Sequence, residues 1–152
     1  MWYMRTLHVS IDVPQNRGEV YDYLDVLANH VQFTDHMMRN WHLSGPPRGV
    51  GPKATVDVVL GGRTEPIEIE VIETEAPVRN VERNIGAAGK RVATGTYRLE
   101  ELSDGQTRIN FDYVWQQMPL GERLAGPLVR RAMQPALETA MQRLAEQLAI
   151  HG

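Results

Sequence analysis

The sequence predicts an α+β domain in which a curved, seven-stranded antiparallel sheet wraps around a long C-terminal helix, with two short helices between the first and second strands. Three observations lead there. Apolar residues alternate with period two in an opening segment and again across about eighty residues from position 38 onward. The C-terminal segment reverts to a helical period. The connections between alternating segments are too short for crossovers, so successive strands must be antiparallel neighbours.

The opening strand carries Leu7, Val9, Ile11 and Val13 on one face and Thr6, His8, Ser10 and Asp12 on the other, and Pro14 ends it. Asn16 stands three residues before Glu19, the spacing of a capping box in which each side chain can satisfy a backbone N–H at the helix end. Val20, Tyr23, Leu24 and Leu27 follow at helical spacing, which predicts an amphipathic helix over 16–28. Asn29 is a second candidate cap, opening a short helix with Val31, Phe33 and Met37 as its apolar members.

Arg39, Trp41 and Leu43 mark a further strand whose facing the pattern leaves open. Ala54, Val56, Val58 and Leu60 alternate against Lys53, Thr55 and Asp57. Gly61-Gly62 then supplies a two-residue hairpin turn, because glycine accepts positive φ at both central positions. Ile67, Ile69 and Val71 return opposite Glu68 and Glu70, and Ala76-Pro77 turns the chain. Val81, Arg83 and Ile85 read as the inward face of the next strand, away from Glu82 and Asn84. Gly86 to Gly89 is a turn, after which Ala93, Gly95, Tyr97 and Leu99 face inward. Ser103-Asp104-Gly105 turns into a last strand whose inward residues are Ile109, Phe111, Tyr113 and Trp115. The final stripe runs from Leu120, Leu124 and Leu128 through Met133, Leu137, Met141, Leu144 and Leu148. A helix over 127–149 would be about 34 Å long, with a bend expected at Pro135, which lacks a backbone donor.

The chain has 152 residues, a formal charge of −3 and no cysteine. One domain spanning 1–152 is expected, long enough to bury about 70% of its unfolded surface. The absence of cysteine excludes disulfides and thiolate chemistry, and the acidic balance argues against nucleic acid as a partner. No apolar run has the length of a membrane span, so no integral membrane contact is expected. The start Met1-Trp2-Tyr3-Met4-Arg5 lacks the order of a secretory leader, which makes the cytoplasm the expected location. His30, His36 and His42 recur every six residues, a spacing that suits neither helix nor strand ligation, so no metal is expected. Nucleotide-binding glycine patterns and a serine-nucleophile elbow are lacking, and no cofactor is expected. An edge strand near 6–13 or 38–44 leaves both monomer and homodimer open.

The Val13-Pro14 strand end, Glu19-Val20-Tyr21 in the first helix, the Ala28-Asn29-His30 joint and the closing Gln134-Pro135-Ala136-Leu137 resemble the polyketide cyclase/dehydratase branch of the START-like superfamily. The resemblance covers nearly the whole chain and implies the helix-grip fold. It further implies a deep apolar cavity between sheet and C-terminal helix, in which relatives hold polyketides, lipids, quinones, sterols or plant hormones. Some such relatives close or dehydrate rings; many only bind or carry.

A curved sheet and a straight helix diverge in the middle, and small inward residues such as Ala93, Gly95, Ala132, Ala136 and Ala140 leave that gap unfilled. The residues expected around a hydrophobic small-molecule ligand are Phe33, Trp41, Ile69, Tyr97, Phe111, Tyr113, Trp115, Met133, Leu137 and Met141, together with Arg83. Phe111, Tyr113 and Trp115 read equally as plain core, except that buried phenol and indole groups need polar partners. Arg83, if inward, must pair with an acid or an anionic ligand; the alternative places it on the solvent side. Were the protein an enzyme, Arg83, His36 or Tyr97 would move the proton. Asp35 and His36 are adjacent, so their side chains diverge, and one of them is a candidate for the cavity mouth.

Overall fold

The computed structural model describes residues 6–151, so the leader reading made on Met1–Arg5 lies outside the described residues. Strands β1 (Leu7–Val13), β2 (Met38–Ser44), β3 (Lys53–Leu60), β4 (Arg63–Glu75), β5 (Arg79–Gly86), β6 (Arg91–Glu101) and β7 (Thr107–Gln117) form one antiparallel sheet. Its order is β1-β7-β6-β5-β4-β3-β2, which leaves β1 and β2 as the two edges. Helices α1 (Arg17–Asp25) and α2 (His30–Thr34) fill the interval between β1 and β2, joined by a single 3₁₀ turn at Leu27–Asn29. Helices α3 (Leu120–Leu124) and α4 (Gly126–His151) close the chain.

Local chemistry accounts for most of these boundaries. Asn16 Oδ1 accepts the Glu19 N–H at 2.9 Å, and the Glu19 carboxylate in turn accepts from Asn16 Nδ2 at 3.0 Å. The box thus closes on the cap's side chain rather than on its backbone. α1 ends at Asp25, earlier than the expected 28, because Val26 turns extended. Asn29 does not cap α2: its backbone is already helical, and its Nδ2 donates instead to the Tyr23 carbonyl at 2.9 Å. It therefore satisfies the end of the helix before it rather than the start of the one after. Gly61 and Gly62 adopt φ of +59° and +78°, as the two-residue hairpin between β3 and β4 requires.

Curvature enters through irregularities of register. Pairing slips between Arg39 and His42 on β2, between Val71 and Glu73 on β4, and between Val92 and Ala93 on β6. An extra residue on one strand bends that strand and increases its twist. On β2 the slip coincides with Asn40 at φ +57°, so this edge is interrupted as a template for another strand.

The helix is continuous from Gly126 to His151 through Pro135, whose ring is exposed. Its buried face is Leu137, Ala140, Met141, Leu144 and Leu148, packed against β1 and α2. The expected stripe is corrected at its start, where Leu120, Leu124 and Leu128 are exposed. The chain breaks at Ala125 between α3 and α4, and that segment projects its leucines outward at one end of the sheet.

The buried apolar residues fall into two separate clusters. One joins α1, Phe33, β1, β6, β7 and α4; the other joins Leu27 with Ala54, Val56, Ile69 and Val71 of β3 and β4. Leu144, with no exposure, sits in the first. Leu144→Ala is expected to lower unfolding free energy by about 3 kcal/mol, and Leu124→Ala by less than about 0.5 kcal/mol, in chemical denaturation.

Candidate functional site

Between the two clusters lies a cavity of about 520 Å³. The sheet contributes Ile69 from β4, Tyr97 from β6, and Phe111, Tyr113 and Trp115 from β7. Across from them stand Met133, Leu137, Ala140 and Met141 of α4. His30, Phe33 and Thr34 of α2 close one end, and Met38, Trp41 and Val58 of the outer strands close one side. Gly61, Arg63 and Leu128 are exposed members of the lining and mark the opening. The volume falls within the range of small-molecule sites, and the wall is mainly apolar.

Ten of the eleven residues expected around a ligand are in this wall: Phe33, Trp41, Ile69, Tyr97, Phe111, Tyr113, Trp115, Met133, Leu137 and Met141. Arg83 is not. It lies on the outer face, its side chain 42% exposed, with Nη2 donating to Glu70 at 2.9 Å across the β4–β5 ladder. Glu82 and Asn84 take the inward positions instead, both buried. The apolar side chains of Val81 and Ile85 suggested the opposite facing. The four residues 87–90 that separate β5 from β6 pair odd residues of β6 with even residues of β5. The observed register is Glu82↔Gly95 and Asn84↔Ala93, so an inward Gly95 requires an inward Glu82.

His36 is likewise corrected. Its Nε2–H donates to the Ala136 carbonyl at 2.9 Å, tying the α2–β2 connection to α4, and it is not part of the cavity wall. Asp35 pairs with Arg143 at 2.6 Å outside the wall. Of the three expected proton-moving groups, Tyr97 alone lines the cavity.

The aromatic residues form a continuous row. Ring centroids are 4.6 Å apart for Tyr97 and Phe111, 6.3 Å for Phe111 and Tyr113, and 5.1 Å for Tyr113 and Trp115. Gly95 makes room for it: a Cβ there would lie 2.8 Å from Phe111 Cζ and 3.3 Å from Glu82 Cγ. Asn84 Nδ2 donates to Tyr113 Oη at 3.2 Å, while Asn84 Oδ1 and Trp41 Nε1 are buried without a protein partner.

Burial dominates the electrostatics. It raises the Glu82 carboxyl to about 7 and the Tyr113 phenol to about 12. Tyr97 rises well above the ordinary phenol range through burial and then the charge of Glu82. His30, fully enclosed, is lowered to about 4 by burial, against a smaller opposing effect of its Nε2–H bond to the Leu24 carbonyl at 2.8 Å. Near the opening, Arg91 donates to Glu122 at 2.6 Å through Nε and Nη2, and to Glu65 at 2.8 and 3.0 Å. Burial alone would raise Glu65, but the bonds from Arg91 and from the Ala87 N–H hold it below its usual value. This bridge fastens α3 to the sheet. Among the described residues no group of three His, Asp or Glu side chains is arranged to hold a metal ion, and no helix is long and apolar enough to cross a membrane.

No protein-family model and no curated relative matches the sequence. Solved structures do. The Zhui aromatase/cyclase from Streptomyces sp. R1128 superposes with a TM-score of 0.76 at 11% identity, covering 97% of this chain and 94% of that one. A protein from Thermus thermophilus gives 0.74 at 16% identity over 97% and 99% of the two chains. The protein Ara h 8.0201 gives 0.64 at 11% identity over 97% and 99%. This chain has the helix-grip fold that those proteins share, and at such identities the likeness reaches no further than the fold.

Glu82 titrates at about 7 in the folded protein against 4.5 for the ordinary side chain. The native state holds this proton more tightly than the unfolded one, so stability falls as pH rises through that interval and is level above it. His30 acts in the opposite direction, since its lowered value penalises the folded state as pH falls from 6.5 towards 4. Relative to the wild type, Glu82→Gln is expected to gain about 2–3 kcal/mol of stability between about pH 5 and about pH 8, read by urea unfolding. An equal effect at both pH values would mean that the carboxyl ionises as freely as one in water.

Proposed function

We propose that this helix-grip protein binds an apolar small molecule of polyketide, lipid or quinone type in the cavity between the sheet and α4. The observation that carries the reading is the gap itself: two apolar clusters separated by about 520 Å³ lined with rings and thioethers. A guest that fills it removes its own apolar surface from water, at about 25 cal/mol per Å², and restores dispersion contacts that the wall lacks when empty. Asn84 Oδ1 and Trp41 Nε1 would orient it, since neither has a partner within the protein. The likeness to Zhui, an aromatase/cyclase, supports polyketide-like compounds as one class of guest.

Polyketide cyclisation or dehydration is the second reading, and Glu82 favours it, because an acid titrating at about 7 can both give and take a proton near neutrality. Tyr97 does not serve as that base, because its proton is held too tightly. Native mass spectrometry of protein purified from its own host distinguishes the readings. An intact co-purifying lipid or quinone supports a carrier, and a cyclised product released from an added poly-ketone supports an enzyme.

Ala132 lies in the wall on α4, and Ala132→Trp would place an indole in the cavity. The neutral dye Nile red is expected to bind the native wild type and to bind the variant at least about tenfold more weakly, with thermal unfolding little changed. Failure of the folded wild type to bind the dye, or equal binding by both proteins, would remove the cavity as the functional site.

A further inference from the structure

The polar part of the cavity wall is arranged for one sign of charge. Glu82 is only 5% exposed, and among the described residues no guanidinium, ammonium or hydrogen-bond donor is placed against its carboxyl. Asn84 stands two residues along the same strand face, about 7 Å away, with its Oδ1 buried and unpartnered. Of the β5 residues in the cavity wall, Glu82 and Asn84, each therefore presents an acceptor oxygen. The row Tyr97, Phe111 and Tyr113 faces the same space across Gly95, and the faces of aromatic rings attract cations.

The remaining charges of the wall do not offset Glu82. Its carboxylates are Glu65, Glu82 and Glu122, and its guanidiniums are Arg63 and Arg91. Arg91 is already held by Glu65 and Glu122 at 2.6–3.0 Å, and Arg63 is exposed at the opening. An anionic guest would meet a carboxyl with no cation beside it. A cationic guest would meet two acceptors and a row of aromatic rings.

We propose that the cavity is selective for an apolar molecule carrying a protonated nitrogen, an amine or basic heterocycle, with its N–H groups directed to Glu82 and Asn84. The proposal rests on the cavity-binding reading above. Trp41 Nε1, a buried donor without a protein partner, belongs to β2, three strands away, and suits an oxygen at the guest's other end.

The groups facing Glu82 from the surrounding elements leave it as the one that changes charge near neutrality. Tyr97 and Tyr113 on β6 and β7 stay protonated, and His30 on α2 stays neutral. Glu65, Arg91 and Glu122 remain paired at the opening. A bound cation stabilises the ionised carboxyl, so binding releases a proton wherever Glu82 was protonated, and affinity rises with pH until Glu82 is ionised in the free protein.

Calorimetric titration with biphenylmethylamine, biphenylmethanol and biphenylcarboxylate tests this. The amine is expected to bind at least about tenfold tighter than the alcohol at about pH 8, with the carboxylate weakest and the amine losing about tenfold on going to about pH 6. In Glu82→Gln the alcohol should bind as before, while the amine's advantage and its pH dependence disappear. An amine no tighter than the alcohol in the wild type, or an advantage that survives in the variant, overturns the proposal while leaving the cavity reading intact. Binding of none of the three overturns both. Should Glu82→Gln not fold, titration of the wild type at about pH 6 in two buffers of different ionisation enthalpy reads the proton released, which should approach one per amine bound. No release would overturn the proposal.

Discussion

A rigid helix and a bent sheet touch along a line and part elsewhere, and that mismatch shapes the whole protein. α4 seats Leu137, Ala140, Met141, Leu144 and Leu148 against β1 and α2, where contact is close. Towards β3 and β4 it leaves the sheet, and the apolar side chains there can only pack among themselves and against Leu27. Side chains of ordinary size do not span the interval. Small residues on the inward faces widen it further, Gly95 on β6 and Ala140 on α4 among them. An interior that would otherwise close to crystal-like density is held apart by its own frame.

Such a gap is stable because the frame is supported independently of it. The strands are joined by a continuous ladder from edge to edge, and α1 is fixed by its capping pair at Asn16 and Glu19. His36 ties the α2–β2 connection to the middle of α4 through the Ala136 carbonyl. At the opening, Arg91 joins β6 to β4 and to α3, in a partly buried setting where charge-assisted bonds are stronger than at the surface. The cavity is therefore bounded by hydrogen bonds and ion pairs that do not need an occupant.

Polar groups inside the gap are few, and their acid–base behaviour follows from burial more than from neighbours. The same loss of hydration moves Glu82 up, moves the two phenols up and moves His30 down. All four are thereby driven towards their neutral forms in the empty protein. Glu82 is displaced only to about 7, so a guest with the right charge can return it to the ionised state, which the tyrosines and His30 do not offer.

Period and turn chemistry made the element order legible in the chain itself. Leu7 to Val13, the Gly61-Gly62 hairpin, the alternation of β6 and β7 and the apolar spacing of α4 are local facts, and the resemblance at Val13-Pro14 and Gln134 to Leu137 named the architecture. Ten wall residues followed, because an inward apolar position on a concave sheet has little else to face. What the chain alone did not decide was the polar content of that wall. Hydrophobicity favoured Val81, Arg83 and Ile85 as the inward set, whereas pairing with β6 turned Glu82 and Asn84 inward and placed Arg83 against Glu70 outside. Likewise His36 was drawn to a helix carbonyl a hundred residues away, and Leu120, Leu124 and Leu128 continued the stripe yet lie in the open. Local pattern reports which residues can be buried; facing on a central strand is set jointly by two neighbours through register, and that is a property of the assembled sheet.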